Sequence, residues 1–147
     1  MNYRIVVDTN VIVSAVLNPK SKPAVIIDAV INGDLFLISS DAIFEEVRRV
    51  FSYGKIKRLL RENEITQTEI NTFIETLSDL SFLVPGKLRL YIVKSDPADN
   101  KFLSCAAEGK ADFIVSGNHN LTELETYQNI QILSPTDFLS HLPIVRK

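Results

Sequence analysis

The sequence predicts an α/β fold in which a parallel sheet carries helices on both faces, and three observations lead there. Largely apolar runs at residues 3–7, 113–116 and 130–133, rich in β-branched side chains, all read as strands buried on both faces, as central parallel strands are. Between the runs lie segments whose apolar residues recur at helical spacing. The two kinds alternate along the chain, as βαβ units require.

The first strand is closed by Asp8, and a turn is expected around Asn18-Pro19-Lys20-Ser21. Residues 23–32 place Ile26, Ile27, Val30 and Ile31 on one helical stripe that Gly33 stops. Residues 35–38 read as a second strand, after which Ser39 or Ser40 caps a helix over 41–51. Ile56, Leu59 and Leu60 mark another short helix. Thr66-Gln67-Thr68-Glu69 is a capping box that opens a longer one, with Ile70, Phe73, Ile74 and Leu77 on its buried face. Residues 80–84 and 90–93 look like short strands around Pro85-Gly86. Pro97 suits the first turn of a helix running to Glu108 and ended by Gly109, with Asp96 as its N-cap. Ser134-Pro135-Thr136-Asp137 opens a last helix.

Composition narrows the class. With 147 residues, 46% hydrophobic and 23% charged, the chain fits one domain over 1–147 that needs no covalent staple. The single cysteine, Cys105, excludes an internal disulfide and reads as a small core side chain. The N-terminus shows neither a secretory core nor a membrane span, so a cytoplasmic protein is expected. A formal net charge of -2 denies the chain a global basic field, so any nucleic-acid contact must be local.

Three carboxylates point to chemistry. Asp8 sits at a strand's carboxyl end, on the rim where open parallel sheets bind ligands. On the helix over 41–51, an advance of ~100° per residue puts Ile43, Phe44, Val47, Val50 and Phe51 on one stripe. Glu45 falls opposite that stripe and reads as a solvated charge, while Glu46 falls at its border and can lean into a cleft. Asp99 lies one turn into the helix after Pro97, near the same border if Ala98, Phe102 and Cys105 face the core. Three such groups in a small space repel one another. A hard divalent cation with oxygen ligands, Mg²⁺ or Mn²⁺, offsets the repulsion where no His or Cys joins the set.

Taken in order, Val6-Val7-Asp8-Thr9-Asn10-Val11, Glu46-Val47, Asp96-Pro97-Ala98-Asp99-Asn100-Lys101-Phe102-Leu103, Ala111 through Asn118 and Ile132 through Leu139 resemble the PIN-domain family over nearly the whole chain. That family comprises nucleases found as toxins of toxin-antitoxin pairs and in RNA-processing enzymes. The resemblance implies a three-layer α/β/α fold with four or five parallel strands, and an acidic pocket in which Asp8, Glu46 and Asp99 match the first three acidic positions. The fourth departs from the pattern. Where many relatives carry acids, this chain reads Ser116-Gly117-Asn118-His119-Asn120. Asn118 keeps a carbonyl oxygen but removes a negative charge, which weakens a second metal position. His119 reads as incidental.

The activity so implied is hydrolysis of RNA: Asp8 and Asp99 hold Mg²⁺, Glu46 orders the attacking water, and the products carry a 5′ phosphate and a 3′ hydroxyl. An antitoxin protein across the cleft and a homodimer are implied as partners. For RNA contact, residues 48–61 hold six basic side chains and no acidic ones, with Phe51 and Tyr53 interleaved. Arg48, Lys57 and Arg58 are candidates there, as are Asn10 and Ser116 near the acids. Two rival enzyme readings fail on their own residues. An aspartyl-phosphate hydrolase needs a second Asp where Asn10 stands, and a receiver domain needs a paired acid before Asp8 and a late strand-end Lys. The non-enzymatic alternative is a PIN fold that binds RNA or protein and has lost efficient cleavage through Asn118 and Asn120.

Overall fold

A computed structural model of the chain describes residues 2–93 and 97–141. Strand β1 (Arg4–Val7) passes through Asp8 into α1 (Thr9–Leu17), followed by α2 (Lys22–Ile31) and β2 (Phe36–Ser39). Helices α3 (Asp41–Phe51), α4 (Gly54–Glu62) and α5 (Gln67–Leu80) precede the two-residue β3 (Phe82–Leu83). A 3-10 turn (Pro97–Asp99) opens α6 (Asn100–Glu108), and β4 (Phe113–Val115), α7 (His119–Thr122), β5 (Thr126–Tyr127), β6 (Ile130–Leu133) and α8 (Pro135–His141) complete the order. Asp96, expected as an N-cap, lies outside the described residues.

The sheet runs β3-β2-β1-β4-β6-β5. Every neighbouring pair is parallel except β5 with β6, so five parallel strands, within the four or five expected, gain one antiparallel edge. Helix α6 packs across β1, β2 and β4, while α2 packs on α1, α5 and α8. Ile5, Val6, Ile114 and Val115 are fully buried, as strands covered on both faces require. The third run departs from that expectation: Gln131 of β6 is exposed, because β6 lies next to the edge strand β5 and is covered on one face only. The β5–β6 hairpin turns on Gln128 and Asn129, both at positive φ, which is the two-residue turn that matches strand twist. No helix among the described residues is long and apolar enough to cross a membrane.

The sequence does not predict helices α1 and α7 or strand β5, and residues 90–93 depart from the strand expected there. Helix α1 is hard to read because its polar face is only Asn10 and Ser14, too narrow to set a period, while Thr9, Val11, Ile12, Val13 and Ala15 are all buried. Residues 90–93, expected as a strand, join no sheet. Their backbone is tied instead to one stripe of α6 at four-residue spacing. The Asn100 side-chain oxygen accepts from Ile92 N at 2.8 Å and Val93 N at 2.7 Å, and its amide donates to the carbonyls of Val93 and Pro97, both at 3.0 Å. Ser104 Oγ accepts from Leu90 N at 2.8 Å, and the Glu108 carboxylate accepts from Gly86 N and Lys87 N, both at 3.1 Å. Side-chain acceptors thus replace a ladder, and the apolar side chains that mimic a strand are there because Val93 and Leu90 pack on the core.

Gly109 ends α6 where the Ile38 side chain leaves no room for a Cβ. Cys105 is buried beneath the same loop, and burial, reinforced by the Glu108 charge, pushes its thiol up to about 12. Asn100 is the most heavily used of the tethers. Replacing it by Ala strands four backbone groups, of which Val93 N and Val93 O are buried, and is expected to lower the unfolding free energy by about 2–4 kcal/mol, given a desolvation penalty of ~1–3 kcal/mol per buried orphaned group. Urea denaturation of wild type and Asn100→Ala checks this, and coincident midpoints would contradict it.

Candidate functional site

The chain lays down β1, β2 and β3 in one direction and then returns to place β4 on the far side of β1. Connections leave the two strands in opposite directions at such a switch point, opening a crevice beyond their carboxyl ends. Val7 and Val115 are in register there, so Asp8 and Ser116 come next to each other. Asp8 N donates to Val115 O at 3.1 Å, and the Ser116 hydroxyl donates to Asp8 Oδ2. Asp8 Oδ1 accepts from Val11 N at 3.0 Å, so the same carboxylate is the N-cap of α1.

From Ser116 the polar chain continues to Asp99. Ser116 Oγ accepts from Asn118 N at 2.9 Å, and Asn118 Nδ2 donates to Asp99 Oδ2 at 2.7 Å. Asn118 Oδ1 is engaged elsewhere, accepting from Asn120 N at 2.9 Å to cap α7. Asn118 therefore presents a donor to the crevice where an Asp would present a charge. Asp8 and Asp99 are only 4% and 8% exposed, unlike ordinary surface acids. Ala98 does not face the core as expected; it is exposed, and Asp99 itself is buried because the 3-10 turn rotates the first residues before α6 begins.

Glu46 leans toward the crevice from α3, partly buried, whereas Glu45 is exposed. Its Oε2 accepts from the Thr9 hydroxyl, and its Oε1 is ion-paired with Lys101 Nζ. Burial pushes the Glu46 carboxyl up, but the bonds from Lys101 and Thr9 and the charges of Lys101 and Arg49 outweigh it and hold the group below its usual range. Asp8 moves the other way. Burial is the largest influence and raises it, the bonds from Ser116 and Val11 oppose this, and the negative charges of Asp99 and Glu46 push it further up. The three acids thus share one electrostatic neighbourhood.

Among the described residues no three His, Cys, Asp or Glu side chains stand together as ready ligands of one ion, since each acid is turned to a hydrogen-bond donor. The donor set nonetheless fits a hard divalent cation: two buried carboxylates, all-oxygen chemistry and mutual repulsion for an ion to relieve. Of the remaining candidates, Ser116 is fully buried and serves Asp8, while Asn10, Arg48, Lys57 and Arg58 are exposed on α1, α3 and α4. His119 is exposed at the start of α7. Thr9 and Lys101 were not foreseen. Thr9 directly follows Asp8 and Lys101 lies two residues past Asp99, but nothing in the sequence aims either at a glutamate 37 or 55 positions away.

A PIN-domain family model matches residues 4–120. The chain belongs to the PIN-domain family. An uncharacterized protein of Methanocaldococcus jannaschii, MJ1680, is similar to it at 28% identity over 143 residues, covering 92% of this chain and 88% of that protein. The crystal structure of FitAcB from Neisseria gonorrhoeae shares the PIN fold with it at a TM-score of 0.54 and 17% identity, over 90% of this chain and 98% of that one. At that identity the likeness is one of fold.

The opposite shifts of the two acids in this PIN domain have opposite consequences for stability. Glu46, held low, contributes stability that is present above the ordinary carboxylate range and lost as pH falls through its native value. Asp8, held high, binds its proton more readily folded than unfolded, so the native state gains as pH falls through its raised value toward 3.8. Asp8→Asn keeps the cap and drops the buried charge. It should therefore unfold at higher urea than wild type at pH 7, with the gap closing as pH falls through the raised value; a gap independent of pH would contradict this.

Proposed function

We propose that this PIN domain is a metal-dependent ribonuclease and acts in the cytoplasm as the toxin of a toxin-antitoxin pair. The observation that supports it best is the polar chain from Asp8 through Ser116 and Asn118 to Asp99, which holds two buried carboxylates at the mouth of the sheet's switch point. Mg²⁺ or Mn²⁺ held by Asp8 and Asp99 would supply charge neutralisation at the phosphoryl oxygens and make water a better nucleophile at neutral pH. Glu46, kept ionised by Thr9 and Lys101, orients the attacking water in line with the scissile bond. Water oxygen bonds to phosphorus as the bond to the 3′ oxygen breaks, leaving a 5′ phosphate and a 3′ hydroxyl that takes up a proton.

Exposed Arg48, Lys57 and Arg58 on α3 and α4 offer phosphate contacts, and Asn10, exposed on α1 two residues after Asp8, is a further substrate candidate. The family's occurrence in toxin-antitoxin pairs supports an antitoxin segment across the crevice and a homodimer. One observation favours the binding-module alternative. Asn118 gives Asp99 a hydrogen bond in place of a neighbouring charge, which lowers the demand for metal.

RNA cleavage with added Mg²⁺ or Mn²⁺, run on wild type, Asp8→Ala, Asp99→Ala and Asn118→Asp, decides between them. The nuclease reading expects cleavage by wild type and a loss of about 100-fold or more in either alanine variant, in line with the weight of metal-centred electrostatics in such reactions. Cleavage that persists in Asp8→Ala or Asp99→Ala would sink the site. Cleavage only in Asn118→Asp would establish the binding module.

A further inference from the structure

We infer that Lys101 restricts this site to a single divalent ion by holding Glu46 out of metal coordination. The inference rests on the metal-dependent reading above and adds to it the number of ions and the residue that sets it. Glu46 comes from α3 and Lys101 from α6, two helices packed against each other, and the side chains of the pair are each 21% exposed. The Lys101 ammonium takes one acceptor site of Oε1 and the Thr9 hydroxyl one of Oε2, which leaves sites for a neutral water but sets a positive charge where a cation bound to Glu46 would have to sit. Lys101 Nζ also lies 5.5 Å from the centre of the Phe102 ring, a contact that favours the charged amine in this position.

Charge counting leads to one ion. Among the described residues at the crevice, Asp8, Glu46 and Asp99 bring three negative charges and Lys101 brings one positive, leaving a balance that one divalent ion neutralises. Arg49 also faces Glu46 but is exposed on α3, where solvent screens it. A second ion would leave the crevice as positive as it had been negative, beside carboxylates that are already buried. Its available ligands are also few. Asn118 binds Asp99 Oδ2 as a donor, and Glu46 is open to a cation only if it abandons Lys101. Lys101 is thus a positioning residue that acts through Glu46, and it does by ion pairing what a metal ion would otherwise do for that carboxylate.

The test is Mn²⁺ titration of the intact chain by calorimetry, with electron paramagnetic resonance of the bound ion to report pairs of neighbouring Mn²⁺. Wild type is expected to bind about one ion per chain with no spin coupling. Lys101→Met should bind about two, the second tightened about tenfold or more by loss of the adjacent positive charge. Lys101→Arg, which keeps the charge, should return to one. If Lys101→Met fails to fold by circular dichroism, Lys101→Gln removes the same charge while keeping a donor for Glu46 and is expected to bind two. Two ions in wild type, or one in wild type and in both neutral variants, would overturn the inference while leaving the metal-dependent reading intact. No Mn²⁺ binding in wild type would overturn both.

Discussion

The constraint on which the rest of the site depends is the burial of the Asp8 carboxylate at the point where β1 and β4 diverge. A charge removed from water there must be satisfied by fixed donors, and the fold supplies them from both sides. Val11 N comes from the first turn of α1, so the cap that starts the helix is also the anchor of the site. The Ser116 hydroxyl comes from the end of β4, and its position follows from the Val7–Val115 register. A slip of that register by one residue would turn Ser116 away and leave Asp8 with an unanswered oxygen.

The other two acids follow the same logic with different partners. Asp99 is answered by Asn118, which is itself held by Ser116, and Glu46 is answered by Thr9 and Lys101. The acids are therefore internally satisfied, although burial and the charges of Asp99 and Glu46 still push Asp8 up. That residual repulsion is what a cation would relieve. Relatives with an acid at the position of Asn118 would lack its donor and carry more repulsion, so metal and protein would be more tightly coupled in them.

Strand-end placement made Asp8 legible in the sequence, and a helical wheel separated Glu46 from Glu45, because both arguments use periods that local geometry enforces. Asp99 was found for a partly mistaken reason. The wheel assumed an α-helix from Pro97, while the first residues form a tighter turn that exposes Ala98 and buries Asp99. Helix α1 is hidden by a polar face of only two residues, Asn10 and Ser14, and residues 90–93 imitate a strand because packing needs the same side chains that a strand would. Thr9 and Lys101 were beyond reach for another reason: their partner is fixed by the packing of α1, α3 and α6, which no local pattern encodes. The family's motif order, by contrast, carries long-range information, and it adds to the α/β class, legible from alternating periodicities alone, the way the acids come together.

The central claim is that Asp8 is buried with its charge because a divalent ion uses it. Thermal unfolding of wild type and Asp8→Asn, each with and without excess Mn²⁺ at pH 7, tests that most directly. The account predicts that Mn²⁺ raises the Tm of wild type by several degrees, as a ligand at about 100 times its Kd stabilises by ~2.7 kcal/mol, and leaves Asp8→Asn unmoved. An equal rise in both proteins, or none in wild type, would contradict it.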